Sequence, residues 1–176
     1  FLVTTTIEKD KGIARQLPPK QDEQPPVDIK EKNIFVVTVN KEDQILADNE
    51  LMDIQDIRQA AISFLDNGGD GSCAYCKGEK DLTSSDNPEK AIITVKSDRE
   101  TSYKTYIQVQ NELVAAYNFL RDRESERLFG FKFTKVKSAI ATGDFKGNEE
   151  KAQLKLKEIQ ALFPMKLSEA EAKKSQ

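Results

Sequence analysis

Cys73 and Cys76 stand as CAYC and are the two cysteines of this 176-residue chain. A C-x-x-C pair can act as a thiol redox couple, supply half of a zinc site, or close into a small disulfide. A structural zinc site needs four ligands, and the sequence holds no further cysteine and no histidine. A thioredoxin-like couple belongs at a helix N-terminus just after a strand. CAYC lies instead in a Gly-rich stretch that follows a helical pattern. A local disulfide suits the even cysteine count and an oxidising compartment. The ring it closes is short, so its stabilising effect is modest.

Asp66 to Gly71 reads DNGGDG and faintly resembles a calcium loop. An EF-hand places an oxygen ligand third and an acid twelfth. Gly68 and Lys77 occupy those positions, so the stretch is expected to be a flexible turn after a helix. Asp98, Arg99 and Glu100 follow a strand pattern and precede a helical one. Loops of that kind often carry binding groups, but a solvated turn with capping duty is the simpler reading and the one preferred. The absence of histidine removes the commonest general base and excludes Ser-His-Asp and Cys-His mechanisms within these residues. Formal net charge is −3, and the most basic stretch, from Arg121 to Lys137, is diluted by Asp122, Glu124 and Glu126. It reads as a solvated helix face, so no nucleic-acid partner is expected.

The elements that would position these residues begin with a spacer. Residues 1–32 are expected to form a disordered, Pro-rich, membrane-proximal linker. Four of the six prolines fall there as Pro18, Pro19, Pro25 and Pro26. Each Pro pair removes donors and holds the preceding residue extended. Few apolar residues are present to offset the entropy of ordering. FLVTTTI at the start is either a stray strand or the outer end of a transmembrane helix lying upstream.

Ile34 to Val39 is apolar and β-branched, which predicts a strand. Asn40 to Asp43 supplies turn chemistry, and Ile45 to Ala47 a second strand of a hairpin. With Asp53 as N-cap, Ile54, Ile57, Ala61, Phe64 and Leu65 predict a helix over 54–65 that stops before Asn67-Gly68-Gly69. Residues 66–89 read as a loop insert. Ala91 to Val95 predicts a further strand. Thr101 or Ser102 caps a second helix, with Tyr106, Val109, Leu113, Tyr117 and Leu120 as its buried stripe, reaching about Leu128 before Gly130. Phe131 and Phe133 alternate as in a strand. Leu154, Leu156, Ile159, Leu162 and Phe163 suggest a short helix ended by Pro164, and 169–176 a frayed tail. The order is β-β-α-β-α, an α+β fold in which a small sheet carries two helices packed on one face. Residues 33–137 would be the domain, and 138–176 a C-terminal helical extension and tail. The other sheet face stays available to a partner or a second copy. Were Ile34–Val39 an edge strand, its free backbone groups could add a strand from another chain.

Several segments resemble the ExbD/TolR family. FLVTTTI with the charged spacer is similar to the exit from that family's single membrane helix, and RQLPP (Arg15 to Pro19) to its short Leu-Pro motif. NIFVVTVNKEDQILADNELMDIQDI resembles the family's first strand, turn, second strand and helix start. KAIITVKSDRETSYKTYIQVQNEL resembles the segment in which a strand ends in an A/S-D-x-x-x-x-Y pattern, with Asp98 and Tyr103 in the matching places. The resemblance covers about 1–120. The CAYC insert and the long tail look like the form carried by Bacteroidetes-type relatives. FKFTKV (Phe131 to Val136) stands where the family's short last strand is expected, after an extra helical stretch.

The resemblance implies a non-enzymatic periplasmic domain of a single-pass inner-membrane protein, with no cofactor. It implies an ExbB- or TolQ-like channel partner, met through the membrane helix, and a TonB- or TolA-like protein driven by the proton motive force. It implies a homodimer and, in a TolR-like variant, binding to peptidoglycan. The partner-binding residues expected are Leu17, Pro18, Ile34, Phe35, Val36, Val37, Asp98 and Tyr103, with Cys73 and Cys76 as the disulfide. A thiol oxidoreductase based on CAYC is the enzymatic alternative.

Overall fold

The computed structural model describes residues 29–171. The linker expectation over 1–28, with Leu17 and Pro18, lies outside the described residues. A short 3-10 turn at Glu31–Asn33 leads into β1 (Ile34–Val39), β2 (Ile45–Ala47), β3 (Glu50–Met52), α1 (Ile54–Leu65) and β4 (Ile92–Ser97). Then come α2 (Tyr103–Phe129), α3 (Phe133–Thr142), α4 (Glu149–Leu162) and β5 (Leu167–Glu171). The five strands form one mixed sheet in the order β3-β2-β1-β4-β5. β1 and β2 are antiparallel, as are β2 and β3, while β4 runs parallel to both β1 and β5. This is an α+β fold.

Strand alternation decides which face is covered. Phe35, Val37 and Val39 from β1, Ile45 and Ala47 from β2, and Ile93 and Val95 from β4 are buried. They share one core with Ile57, Ala61, Phe64 and Leu65 of α1 and with Val109, Leu113, Tyr117 and Leu120 of α2. Each fully buried side chain of this size contributes about 1.5–3 kcal/mol, so the pattern fixes the strand register firmly. Phe35 stacks on Phe64 at 5.4 Å between ring centres, which seats α1 on β1. The alternate residues, Ile34, Val36 and Thr38 of β1 with Thr94 of β4, are only half buried. They belong to the face away from that helix-packed core. Thr94 and Ser168 pair across β4 and β5 there at 3.0 Å.

The caps follow the residues that suggested them. Ser102 Oγ accepts from the Thr105 amide at the start of α2, and Gly130 closes the helix with φ 74°. That left-handed conformation suits a residue without Cβ. Asn148 Oδ1 accepts from the Lys151 amide and starts α4.

The open choice for β1 falls to the central reading, because β2 and β4 pair with it on its two sides. Three expectations are corrected. Phe131 and Phe133 do not form a strand. Phe133 begins α3, and Phe131 stacks on Phe129 at 5.8 Å. FKFTKV therefore does not supply the family's last strand. The buried stripe of α4 is Ala152, Leu156 and Ile159, and Leu154 points to solvent. The frayed tail read from 169 onward is corrected over 169–171, where β5 pairs with β4. Phe163, beyond the expected domain end at 137, is fully buried in the main core. The packing thus continues into the C-terminal part.

The DNGGDG turn is also firmer than expected. Asn67 is buried, and its side-chain amide donates to the carbonyls of Asp81 and Ser85 at 2.8 Å each. Its Oδ1 accepts from the Asp81 amide at 2.9 Å. One side chain thereby closes both arms of the 66–89 insert. Ser85 Oγ in turn donates to the Phe64 carbonyl at the end of α1.

Candidate partner-binding corner

Three strands that run in the same direction, β1, β4 and β5, bring their C-terminal ends to one end of the sheet. The chain leaves β4 at Ser97, turns through Asp98 to Thr101, and enters α2. Asp98 Oδ1 accepts from the Glu100 amide at 3.0 Å, and the Asp98 carbonyl from the Thr101 amide. This is the local side-chain turn that Asp forms readily. The Asp98 amide donates to the Val39 carbonyl at 3.0 Å, and Thr101 Oγ1 donates to the carbonyls of Val39 and Asn40. The corner is thus stitched to the end of β1.

The β1–β2 turn completes it. Asp43, in a left-handed conformation at φ 60°, accepts from the Ser102 amide at 2.8 Å. The Ser102 amide, helped by its hydroxyl, holds the Asp43 carboxyl below the usual carboxylate range.

Between the corner and β5 lies a cup of about 470 Å³ lined by Asp98, Thr101, Tyr103, Tyr106 and Glu169. Gln110 Nε2 donates to the Tyr106 hydroxyl and to Glu169 Oε1, at 3.1 Å each. Interaction with the Glu169 carboxylate, with some burial, raises the Tyr106 phenol above its ordinary value. Tyr103 is 78% exposed and begins α2. The cup offers carboxylates, hydroxyls and two aromatic rings beside a strand edge. These groups can offer hydrogen bonds and side-chain contacts to another molecule.

The structure brings Asp98 and Tyr103 together at this cup and separates them from the strand residues expected to act with them. Ile34 and Val36 lie half buried on the sheet face away from the helix-packed core, while Phe35 and Val37 are core. Asp43, Thr101, Tyr106 and Glu169 were not anticipated here. Asp43 carried a signal in the NKED turn. Tyr106 was absorbed into the α2 stripe, and Glu169 into the tail.

Cys73 and Cys76 form a disulfide within the insert, and both are buried. The motif follows α1 and precedes β4, so neither a strand nor a helix N-terminus positions it as in a thioredoxin-like couple. The sulfurs are bonded to each other, which leaves no thiolate pair for zinc.

Against known proteins, the family model described as biopolymer transport protein ExbD/TolR matches residues 1–120. The chain belongs to the ExbD/TolR family. Its role therefore lies in energy-transducing biopolymer transport, in a family whose members work with ExbB/TolQ-like and TonB/TolA-like proteins and are not enzymes. No curated protein matches the chain. The ExbD/TolR match ends within α2, so α3, α4 and β5 lie beyond it. The Asp98 to Tyr103 corner lies inside it. Among the described residues, no helix is long and apolar enough to cross a membrane.

Proposed function

We propose that this chain is the periplasmic coupling module of an ExbB–ExbD–TonB type system. It uses the proton motive force gathered elsewhere in the assembly to drive transport across the outer membrane. It works by homodimerisation and by reversible capture of a TonB-like segment. The observation that carries this reading is the place of β5. It ends the strand order, so its outer backbone groups face no other described strand, and it borders the cup. An edge strand of this kind pairs with a strand of another chain, and the adjoining side chains select which one. Asp98 and Tyr103 contribute to that selection.

The test is a titration of the isotope-labelled chain with a TonB-like periplasmic peptide, alongside sedimentation equilibrium. Expected are shifts at Leu167–Glu171 and around Asp98 to Tyr106, and a concentration-dependent dimer. A chain that stays monomeric and shows no shift with the peptide overturns the proposal. Cosedimentation with peptidoglycan in place of peptide binding assigns the module to the Tol type instead.

A further inference from the structure

The CAYC ring has no part in the corner described above, yet it carries a side chain that reaches the end of α4, just ahead of the turn into β5. Tyr75 lies between the two bonded cysteines. Its hydroxyl donates to the Leu162 carbonyl at 2.6 Å, and its ring meets that of Phe163 edge-on at 5.4 Å. Leu162 ends α4, and β5 begins at Leu167 after a four-residue turn. Arg123 donates to the Tyr75 carbonyl at 3.2 Å while gripping Asp66, so the ring is held from α2 as well. Arg121, only 5% exposed, donates to the Phe163 carbonyl at 3.0 and 2.8 Å. The turn between α4 and β5 is held from α2 by Arg121 and by the Tyr117 hydroxyl, which accepts from the Lys166 amide at 3.3 Å. The Lys166 carbonyl accepts from the Ile93 amide of β4 at 2.9 Å, and its ammonium donates to the Glu89 carbonyl. Tyr75 is a further support, and its placement depends on the ring.

We infer that the Cys73–Cys76 ring is a redox-sensitive latch that positions β5 through Tyr75. With the bond intact, the four-residue ring restricts the backbone on both sides of Tyr75 and keeps its hydroxyl on Leu162. A dithiol reductant delivers two electrons and two protons to the bond. The products are the Cys73 and Cys76 thiols and the disulfide of the reductant. The ring opens, Tyr75 gains freedom, and the α4–β5 turn loses that support while keeping those from Arg121, Tyr117, Ile93 and Glu89. The edge strand then loosens while β1 and β4, fixed by the core, stay in place. Tyr75 is a positioning residue. The effect on partner capture rests on β5 being the working edge, whereas the effect on β5 itself does not.

Hydrogen exchange on the full chain, before and after dithiothreitol, tests this. Mass spectrometry first confirms both thiols. Expected is exchange about tenfold faster over Leu167–Glu171, with Ile34–Val39 unchanged. Tyr75→Ala in the oxidised chain gives the same acceleration, and reduction of that variant adds nothing more. Unchanged exchange at β5 in the reduced chain overturns the inference. So does equal acceleration throughout the chain, or an acceleration on reduction that persists in Tyr75→Ala. Loosening of β5 without any change in dimerisation keeps the latch and counts instead against β5 as the working edge.

Discussion

Arg123 grips Asp66 through two parallel hydrogen bonds of 2.7 and 2.8 Å, joining the end of α1 to the C-terminal third of α2. Asp66 is the C-cap residue of α1, and its carbonyl also accepts from the Gly78 amide. The fork of a guanidinium matches a carboxylate in this way and adds direction as well as attraction. The Asp66 side chain is 7% exposed and that of Arg123 19%. Removing one partner strands the other away from water. Arg123→Ala is expected to lower the unfolding free energy by about 3 kcal/mol, read from urea titration. A loss under about 0.5 kcal/mol, the size of a surface pair, sinks this account.

Asn67 closes the insert with three hydrogen bonds to backbone groups. Asn67→Ala leaves two carbonyls and an amide without that partner, at an expected cost of about 2–3 kcal/mol. Asn67→Asp costs more, since a carboxylate replaces the donor that faces two carbonyls. Urea midpoints of the two variants check the order. Asp tolerated better than Ala contradicts it.

Gly78 touches the chain end of α1. A Cβ there falls 2.5 Å from the Asp66 carbonyl oxygen and 2.7 Å from the Asn67 Cα. Both are backbone atoms, which cannot swing aside. Gly78→Ala is expected to destabilise by about 1–3 kcal/mol, with the Arg123–Asp66 pair disturbed in crystal or NMR structures. Wild-type stability in that variant counts against the packing described.

Stability should fall at both extremes of pH. The Lys32 ammonium, with Asn33 assisting, holds the Asp86 carboxyl below its ordinary value. A depressed folded pKa means that the unfolded chain binds protons more readily. The stabilisation is therefore present above the ordinary carboxyl range, near pH 4, and is lost as pH falls below it. Asp43, Asp70 and Asp81 shift in the same direction. The Tyr117 phenol is pushed up to about 12 by burial. Its contribution is complete below about pH 10, the ordinary tyrosine value, and disappears as pH rises to about 12. Thermal unfolding across pH should show both losses. Asp86→Asn flattens the acid limb, and Tyr117→Phe the alkaline one. A curve that neither variant alters goes against both assignments.

Much of the fold was legible where local pattern and packing agree. Ile54 to Leu65 combines a stripe with a stop at Asn67-Gly68, and α1 occupies those residues. Val109, Leu113, Tyr117 and Leu120 marked the face of α2 that the core takes up. β3 was hidden because Glu50, Leu51 and Met52 are too few to show alternation. α3 was hidden because Phe131 and Phe133 mimic a strand period, although Phe133, Val136 and Ile140 keep helical spacing. β5 was the hardest. Its residues, LSEAE, have weak strand preference, and the strand exists through its pairing with β4. The cup was half visible. Asp98 and Tyr103 are close in sequence, whereas Glu169 reaches them only through the sheet order.

The middle place of β1 has a mechanical consequence. The preceding residues join the sheet at the Ile34 end of β1, and the cup opens at the opposite end, beside Ser97 of β4. In the proposed coupling role, a pull between the residues ahead of β1 and a captured partner would run along the strand axes. Six residue pairs between β1 and β4, from Ile34 with Ile92 to Val39 with Ser97, share that load in shear. None is peeled away singly, so in that role the contact with the partner would yield before the domain does.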